Sequence, residues 1–139
     1  MSWNPIRVSR HSITDEDRAA VMRVMSDDRP LARGDEVRHF EQEFAHYVGA
    51  RYAVACSSGT AALHLAAMTT DERGEVAVPT VTFLATANAF LACGNTVRYY
   101  DNMNSHEHND VIIHYAGEVY YSRSCFVEDA AHALGAKYN

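Results

Sequence analysis

The sequence predicts an α/β fold, a mostly parallel sheet covered by helices and preceded by two amphipathic helices. Three observations carry that expectation. From about residue 50 onward, short apolar runs alternate with helix-period segments, the pattern that builds parallel sheets. Before that point apolar residues recur at three- and four-residue intervals, as on one face of a helix. A length of 139 residues suits one core. The expectation is therefore a single domain over residues 1–139, with helices in 1–49 and the alternating portion in 50–139.

The first helix lies in "SITDEDRAAVMRVMSDDRP". Thr14 can cap it, Asp15, Glu16 and Asp17 suit the positive end of its dipole, and Ala20, Val21, Val24 and Met25 form the apolar stripe. Pro30 helps to end it. In "GDEVRHFEQEFAHYVGA" a second helix puts Val37, Phe40, Phe44 and Val48 on one face and stops at Gly49. "RYAVAC" reads as a strand and "SSGTAALHLAAM" as a helix opened by Ser, Gly and Thr. "EVAVP" is a strand ended by Pro79, and "TFLATANAFLACG" a helix stopped by Gly94. "TVRYYD", "VIIHYAG" and "CFVED" are three more strands. Nine residues separate Asp101 from Val111, and seven separate Gly117 from Cys125. A parallel crossover carrying its own helix needs about ten to twelve residues or more. The last strands are thus expected to pair irregularly or to have lost their connecting helices.

Composition excludes several classes of function. The net charge is −6 with no basic cluster, which argues against a nucleic-acid partner or an anionic membrane. No apolar run approaches a bilayer span, and the first residues lack a signal-peptide core, so the cytoplasm is the expected compartment. Cys56, Cys93 and Cys125 fit neither a metal nor a redox spacing. Of the 12 basic residues only Lys137 is a lysine, which limits any amine chemistry to that position.

Three stretches can carry chemistry. "SSGTAAL" sets Ser57, Ser58, Gly59 and Thr60 between a strand and a helix, where free N–H groups can hold an anion without a lysine. Ser and Thr are equally good helix caps, and that structural role is the simpler one for this stretch alone. Phe83, in the first turn of its helix, can stack on a flat ring or fill the core. Asp129, at the end of "CFVED", can pair with a protonated ring nitrogen or cap a helix over "AAHALGA". His132, about one turn further on, can reach the same ring or simply face solvent. His106 and His108, with His114 nearby, lack a convincing third and fourth ligand, so no metal site is expected. A serine hydrolase is disfavoured because there is no G-x-S-x-G elbow.

The order of these blocks is more telling than any one of them. "LARGDEVRHFEQEFAHYVGARYAVACSSGTAALHLA", "VPTVTFLATANAFLACG", "VIIHYAG" and "FVEDAAHALGA" together resemble the DegT/DnrJ/EryC1/StrS family, from about Leu31 to the last residue. That resemblance implies an abridged large domain of the aspartate-aminotransferase type (pyridoxal phosphate fold type I). It also implies a pyridoxal phosphate-dependent amination of keto-sugars joined to a nucleotide, usually with glutamate as amino donor. Gly59, Thr60 and Ala61 would then hold the cofactor phosphate, Phe83 would stack on its ring, Asp129 would pair with the pyridine nitrogen, and His132 would lie by the phenolic oxygen. Family members are homodimers, so a homo-oligomer or a complementing chain is expected.

The family's Schiff-base lysine lies in a motif resembling S-F-H-x-x-K beyond the "EDAA" block, and no such motif occurs in the sequence. Lys137, eight residues after Asp129, is a poor substitute, because Asp129 and the aldehyde carbon belong to opposite sides of the ring. The chain alone is thus expected to hold the cofactor noncovalently, if at all, and to be inactive. The alternative is a non-catalytic module for cofactor binding or protein interaction.

Overall fold

A computed structural model describes residues 10–26, 28, 31–32, 34–70, 74–101, 110–122 and 125–137. The chain forms two compact units, Met1–Ala53 and Val54–Asn139.

The first unit carries helices α1 (Asp15–Met25) and α2 (Asp35–Val48). Thr14 caps α1 reciprocally: its Oγ1 accepts the Asp17 N–H at 3.2 Å, and the Asp17 carboxylate accepts the Thr14 N–H at 2.7 Å. Those bonds hold the Asp17 carboxyl below its usual range. Gly49 ends α2 in the left-handed conformation, φ 72°. The Phe40 and Phe44 rings meet on α2 at 5.6 Å, while Ala45 is the buried residue of that helix. Pro30, expected to help end α1, lies outside the described residues.

The second unit holds α3 (Gly59–Met68), β1 (Glu75–Pro79), α4 (Leu84–Ala92), β2 (Thr96–Tyr100), β3 (Val111–Ile113) and β4 (Val127–Asp129), with a 3₁₀ turn at Tyr115–Gly117. β1 and β2 pair in parallel over five positions, from Glu75 opposite Thr96 to Pro79 opposite Tyr100. β3 and β4 pair in parallel over three, with Ile113 opposite Asp129. α4 packs on β1, β2 and α3, and Phe90 and Val78 are fully buried in a cluster with Ala67, Val76, Ala87 and Val111. The alternating alanines of α4 let the helix lie close to the sheet, which is why so apolar a helix, with five buried residues, sits here.

Three expectations need correction. "RYAVAC" forms no strand, and Tyr52 and Val54 are exposed. A strand needs a neighbour's ladder, and none reaches this segment among the described residues. "VIIHYAG" is a strand only as far as Ile113 before the chain turns through left-handed Ala116 and Gly117, φ 54° and 84°. The alternative of a helix over "AAHALGA" capped by Asp129 gives way to a pair of turns, Ala133 N–H to the Ala130 carbonyl and Ala136 N–H to the Ala133 carbonyl. Seven residues ending near a left-handed Gly135 are too few to propagate a helix.

Both strand pairs are parallel, but among the described residues they do not form one continuous ladder. They are joined through side chains instead. Asp110 Oδ2 accepts the Ala77 N–H at 2.7 Å, the group that a neighbouring strand's carbonyl would otherwise take. Tyr100 Oη donates to the Val111 carbonyl at 2.6 Å. Partial burial, then the Cys125 and Asp110 charges, push the Tyr100 hydroxyl up to about 12.

Candidate functional site

The site is built at strand ends. β1 leads through Thr80–Phe83 into α4, β4 ends in Asp129, and a hydrogen bond joins these two places. The crevice beyond the carboxyl ends of parallel strands is where α/β folds bind ligands.

Asp129 is half-buried and held on three sides. Its carbonyl accepts the His114 N–H at 3.0 Å, an extension of the β3–β4 ladder. Oδ1 accepts the Ala131 N–H at 3.2 Å, so the side chain closes a turn and does not cap a helix. Oδ2 accepts the Thr86 hydroxyl, also at 3.2 Å. Each carboxylate oxygen retains acceptor capacity for a further donor.

His132 follows on the turn. Its Nδ1 accepts the Ala116 N–H at a long 3.4 Å, which leaves the ring proton on Nε2 as a donor. The Tyr115 ring flanks it, with centroids 5.6 Å apart. His114, by contrast, points into the protein: it is buried, takes the Tyr120 N–H on Nδ1 at 3.1 Å, and meets Glu128 Oε2 through Nε2 at 3.2 Å. That pairing removes it as a metal ligand. His106 and His108 lie outside the described residues, and among the described residues no group of three or more His, Cys, Asp or Glu is placed to hold a metal.

Phe83 is the residue before α4, not part of its first turn, with extended backbone at φ −75° and ψ 140°. It is 73% exposed and lies outside the core cluster of this chain. Gly59, Thr60 and Ala61 open α3. Ser58 caps that helix by accepting the Ala61 N–H at 3.1 Å. The N–H groups of Gly59 and Thr60 have no hydrogen-bond partner among the described residues, and nothing lies within 4 Å of where a Gly59 Cβ would point. These two donors sit at the positive end of α3. The structure thus joins Phe83, Thr86, Asp129 and His132 through α4 and one turn. No hydrogen bond or ring contact links Gly59–Ala61 to them among the described residues.

Sequence reasoning missed Thr82 and Thr86. The available signal was their four-residue spacing, which puts two hydroxyls on one face of a helix start.

The profile of the DegT/DnrJ/EryC1/StrS aminotransferase family matches residues 11–110. The chain belongs to this family. GDP-perosamine synthase of Escherichia coli O157:H7 is 31% identical over 160 aligned positions, covering 96% of this chain and 44% of that protein. GDP-perosamine synthase of Caulobacter vibrioides is 37% identical over 99 residues, covering 70% of this chain and 27% of that protein. The X-ray structure of the aminotransferase from Psychrobacter cryohalolentis superposes with a TM-score of 0.73 at 27% identity, over 91% of this chain and 39% of that one. This DegT-family chain therefore spans less than half the length of the relatives it matches, and its α/β architecture is part of a fold type I domain. DegT-family aminotransferases depend on pyridoxal phosphate. Because 160 aligned positions exceed the 139 residues of this chain, at least 21 of them fall opposite gaps in it.

Proposed function

We propose that this chain carries one wall of the pyridoxal phosphate site of a nucleotide-sugar aminotransferase. The observation that carries the proposal is Asp129, a carboxylate at a strand end with both oxygens oriented by donors and with acceptor capacity left. The residues suit the group: two N–H donors at α3 with no partner among the described residues match a phosphate, an exposed Phe83 ring matches an aromatic face, and Asp129 matches a protonated ring nitrogen. Gly59, Thr60 and Ala61 would take the phosphate, Phe83 the ring face, Asp129 the nitrogen, and His132 the phenolic oxygen through its Nε2 proton.

Bound pyridoxal phosphate supplies an electron sink for carbon–hydrogen bond cleavage beside an amino nitrogen. Asp129 serves that chemistry by keeping a proton on the ring nitrogen, and α3 by anchoring the phosphate so that the ring does not rotate. Lys137, the single lysine of these 139 residues, is exposed and stands eight residues past Asp129. The amine that moves protons would come from a complementing chain. The substrate would be a keto-sugar on a nucleotide and the donor an amino acid, with the working form a homo-oligomer or a complemented assembly.

A second reading, a non-catalytic cofactor-binding or interaction module, draws on the gaps opposite this chain in its alignment with the E. coli relative. One experiment separates the two. The chain is titrated with pyridoxal phosphate, reduced with borohydride, and weighed intact with peptide mapping. Saturable binding that Asp129→Asn weakens at least about tenfold supports the site. A reduced adduct on Lys137 would assign the amine to this chain, whereas no saturable binding would leave only the transaminase scaffold.

A further inference from the structure

We infer that Thr86, with Thr82 behind it, is a positioning residue for Asp129, forming a partly buried hydroxyl relay that fixes how the carboxylate is presented to a ring nitrogen. The inference rests on the cofactor reading above and adds two residues to it. Thr86 is fully buried in the first turn of α4. Its Oγ1 lies 3.2 Å from Asp129 Oδ2 and 2.9 Å from Thr82 Oγ1.

The direction of the relay follows from chemistry. An ionised carboxylate only accepts, so the single Thr86 hydrogen must point at Oδ2. That hydrogen is then not bonded back to a helix carbonyl, as in helical threonines it commonly is, and the Thr86 oxygen is free to accept from Thr82, four positions earlier. Thr82 Oγ1 also lies 3.3 Å from the Phe83 carbonyl, so its one hydrogen chooses between the two acceptors. When it points at Thr86 the two hydroxyls polarise one another toward Asp129. Thr86 thereby links α4 to the end of β4, 43 residues later in the chain, and stabilises negative charge on one named oxygen. Ala131 N–H holds the other.

A purely structural pin between α4 and β4 would use the same bond, so the test needs a readout that a pin would not move. The full chain is titrated with pyridoxal 5′-phosphate labelled with ¹⁵N in the ring, and both the affinity and the ¹⁵N chemical shift against pH are recorded. In wild type the ring nitrogen is expected to stay protonated to higher pH than in free pyridoxal phosphate. Thr86→Val is expected to bind about three- to tenfold more weakly. Its ¹⁵N midpoint should move to lower pH, and Thr86→Ser should restore both values. A folded Thr86→Val protein with unchanged midpoint would overturn the relay and leave a pin. Should Thr86→Val fail to fold, Thr82→Val decides, since it keeps the Thr86 contact and removes its polarising hydrogen; an unchanged midpoint there overturns the inference equally. Asp129→Asn separates the two levels. Loss of binding in Asp129→Asn with wild-type behaviour in the Thr86 and Thr82 variants sinks the relay alone. Equal binding by Asp129→Asn and wild type, or none by either, sinks the cofactor reading and the relay with it.

Discussion

β1–β2 and β3–β4 are both parallel pairs, yet they are held in place by different means. The first runs five residues in register, with Val76, Ala77, Val78 and Pro79 buried and α4 packed against it. The second shares only three residue pairs, too few for its own ladder to hold it firmly. Around it side chains take over: Asp110 on the Ala77 N–H, Tyr100 on the Val111 carbonyl, His114 on Glu128, and Thr86 on Asp129. The difference teaches that the pair bearing the candidate cofactor ligand is located by directional polar bonds. A ladder tolerates drift along a strand; a hydroxyl aimed at one carboxylate oxygen does not.

The largest expected effect tests whether β3 still needs a core. Ile112 is fully buried, and Ile112→Ala is expected to destabilise the chain by about 2–5 kcal/mol in a urea titration. If amide exchange then rises equally in β1 and in β3, the two pairs form one unit and the contrast between them is broken. Next comes Asp110→Ala, which leaves the Ala77 N–H without its partner and should cost about 1–3 kcal/mol. Its exchange signature should be centred on Ala77; protection there equal to wild type would show that the strand pairs do not depend on this carboxylate.

Tyr100→Phe is smaller, about 1 kcal/mol by the same titration. Its pH dependence has a definite sign. The folded hydroxyl titrates at about 12 against an ordinary 10.0, so its stabilisation is complete below pH 10 and fades as pH climbs toward 12. Wild type should lose stability across that window more steeply than Tyr100→Phe, and parallel curves would deny Tyr100 its bridging role. The smallest effect is kinetic. Burial, then the neighbouring Glu128 carboxylate, push the Cys125 thiol up, whereas Cys56 is exposed. Iodoacetamide at pH 8 should alkylate Cys56 several-fold faster than Cys125, and Glu128→Gln should narrow the gap. Equal rates in wild type would place Cys125 in a more open setting than the β3–β4 side chains provide.

Legibility in the sequence followed the range of the forces involved. The helices were readable because their signals are local: Thr14 with Asp17, Ser58 before Gly59, and Gly49 at a helix end each act within one turn. "EVAVP" and "TVRYY" were readable because β-branched and apolar residues fill a half-buried surface wherever it lies. "RYAVAC" has the same composition and forms no strand, since pairing belongs to the neighbour and not to the segment. The turns after Asp129 were not legible because alanines favour a helix only when enough residues follow to propagate it. Of the candidate site, Asp129 and Phe83 stood out through their positions at element ends, whereas Thr82 and Thr86 are unremarkable residues until Asp129 arrives beside them.

The sequence by itself determined the α/β alternation, the caps, and which residue types stand at strand ends, because periodicity and capping are properties of a few neighbouring residues. Family membership was also written there, in the order of the "SGTAAL", "TFLATANA" and "EDAAHALGA" blocks. Only the tertiary structure decided that the sheet is two pairs joined by Asp110 and Tyr100, that His114 turns inward to Glu128, and that a buried threonine grips Asp129. The physical reason is that each of these bonds is directional and short, and joins residues between 11 and 43 positions apart. Whether they meet depends on how the chain between them packs, and no local pattern records that.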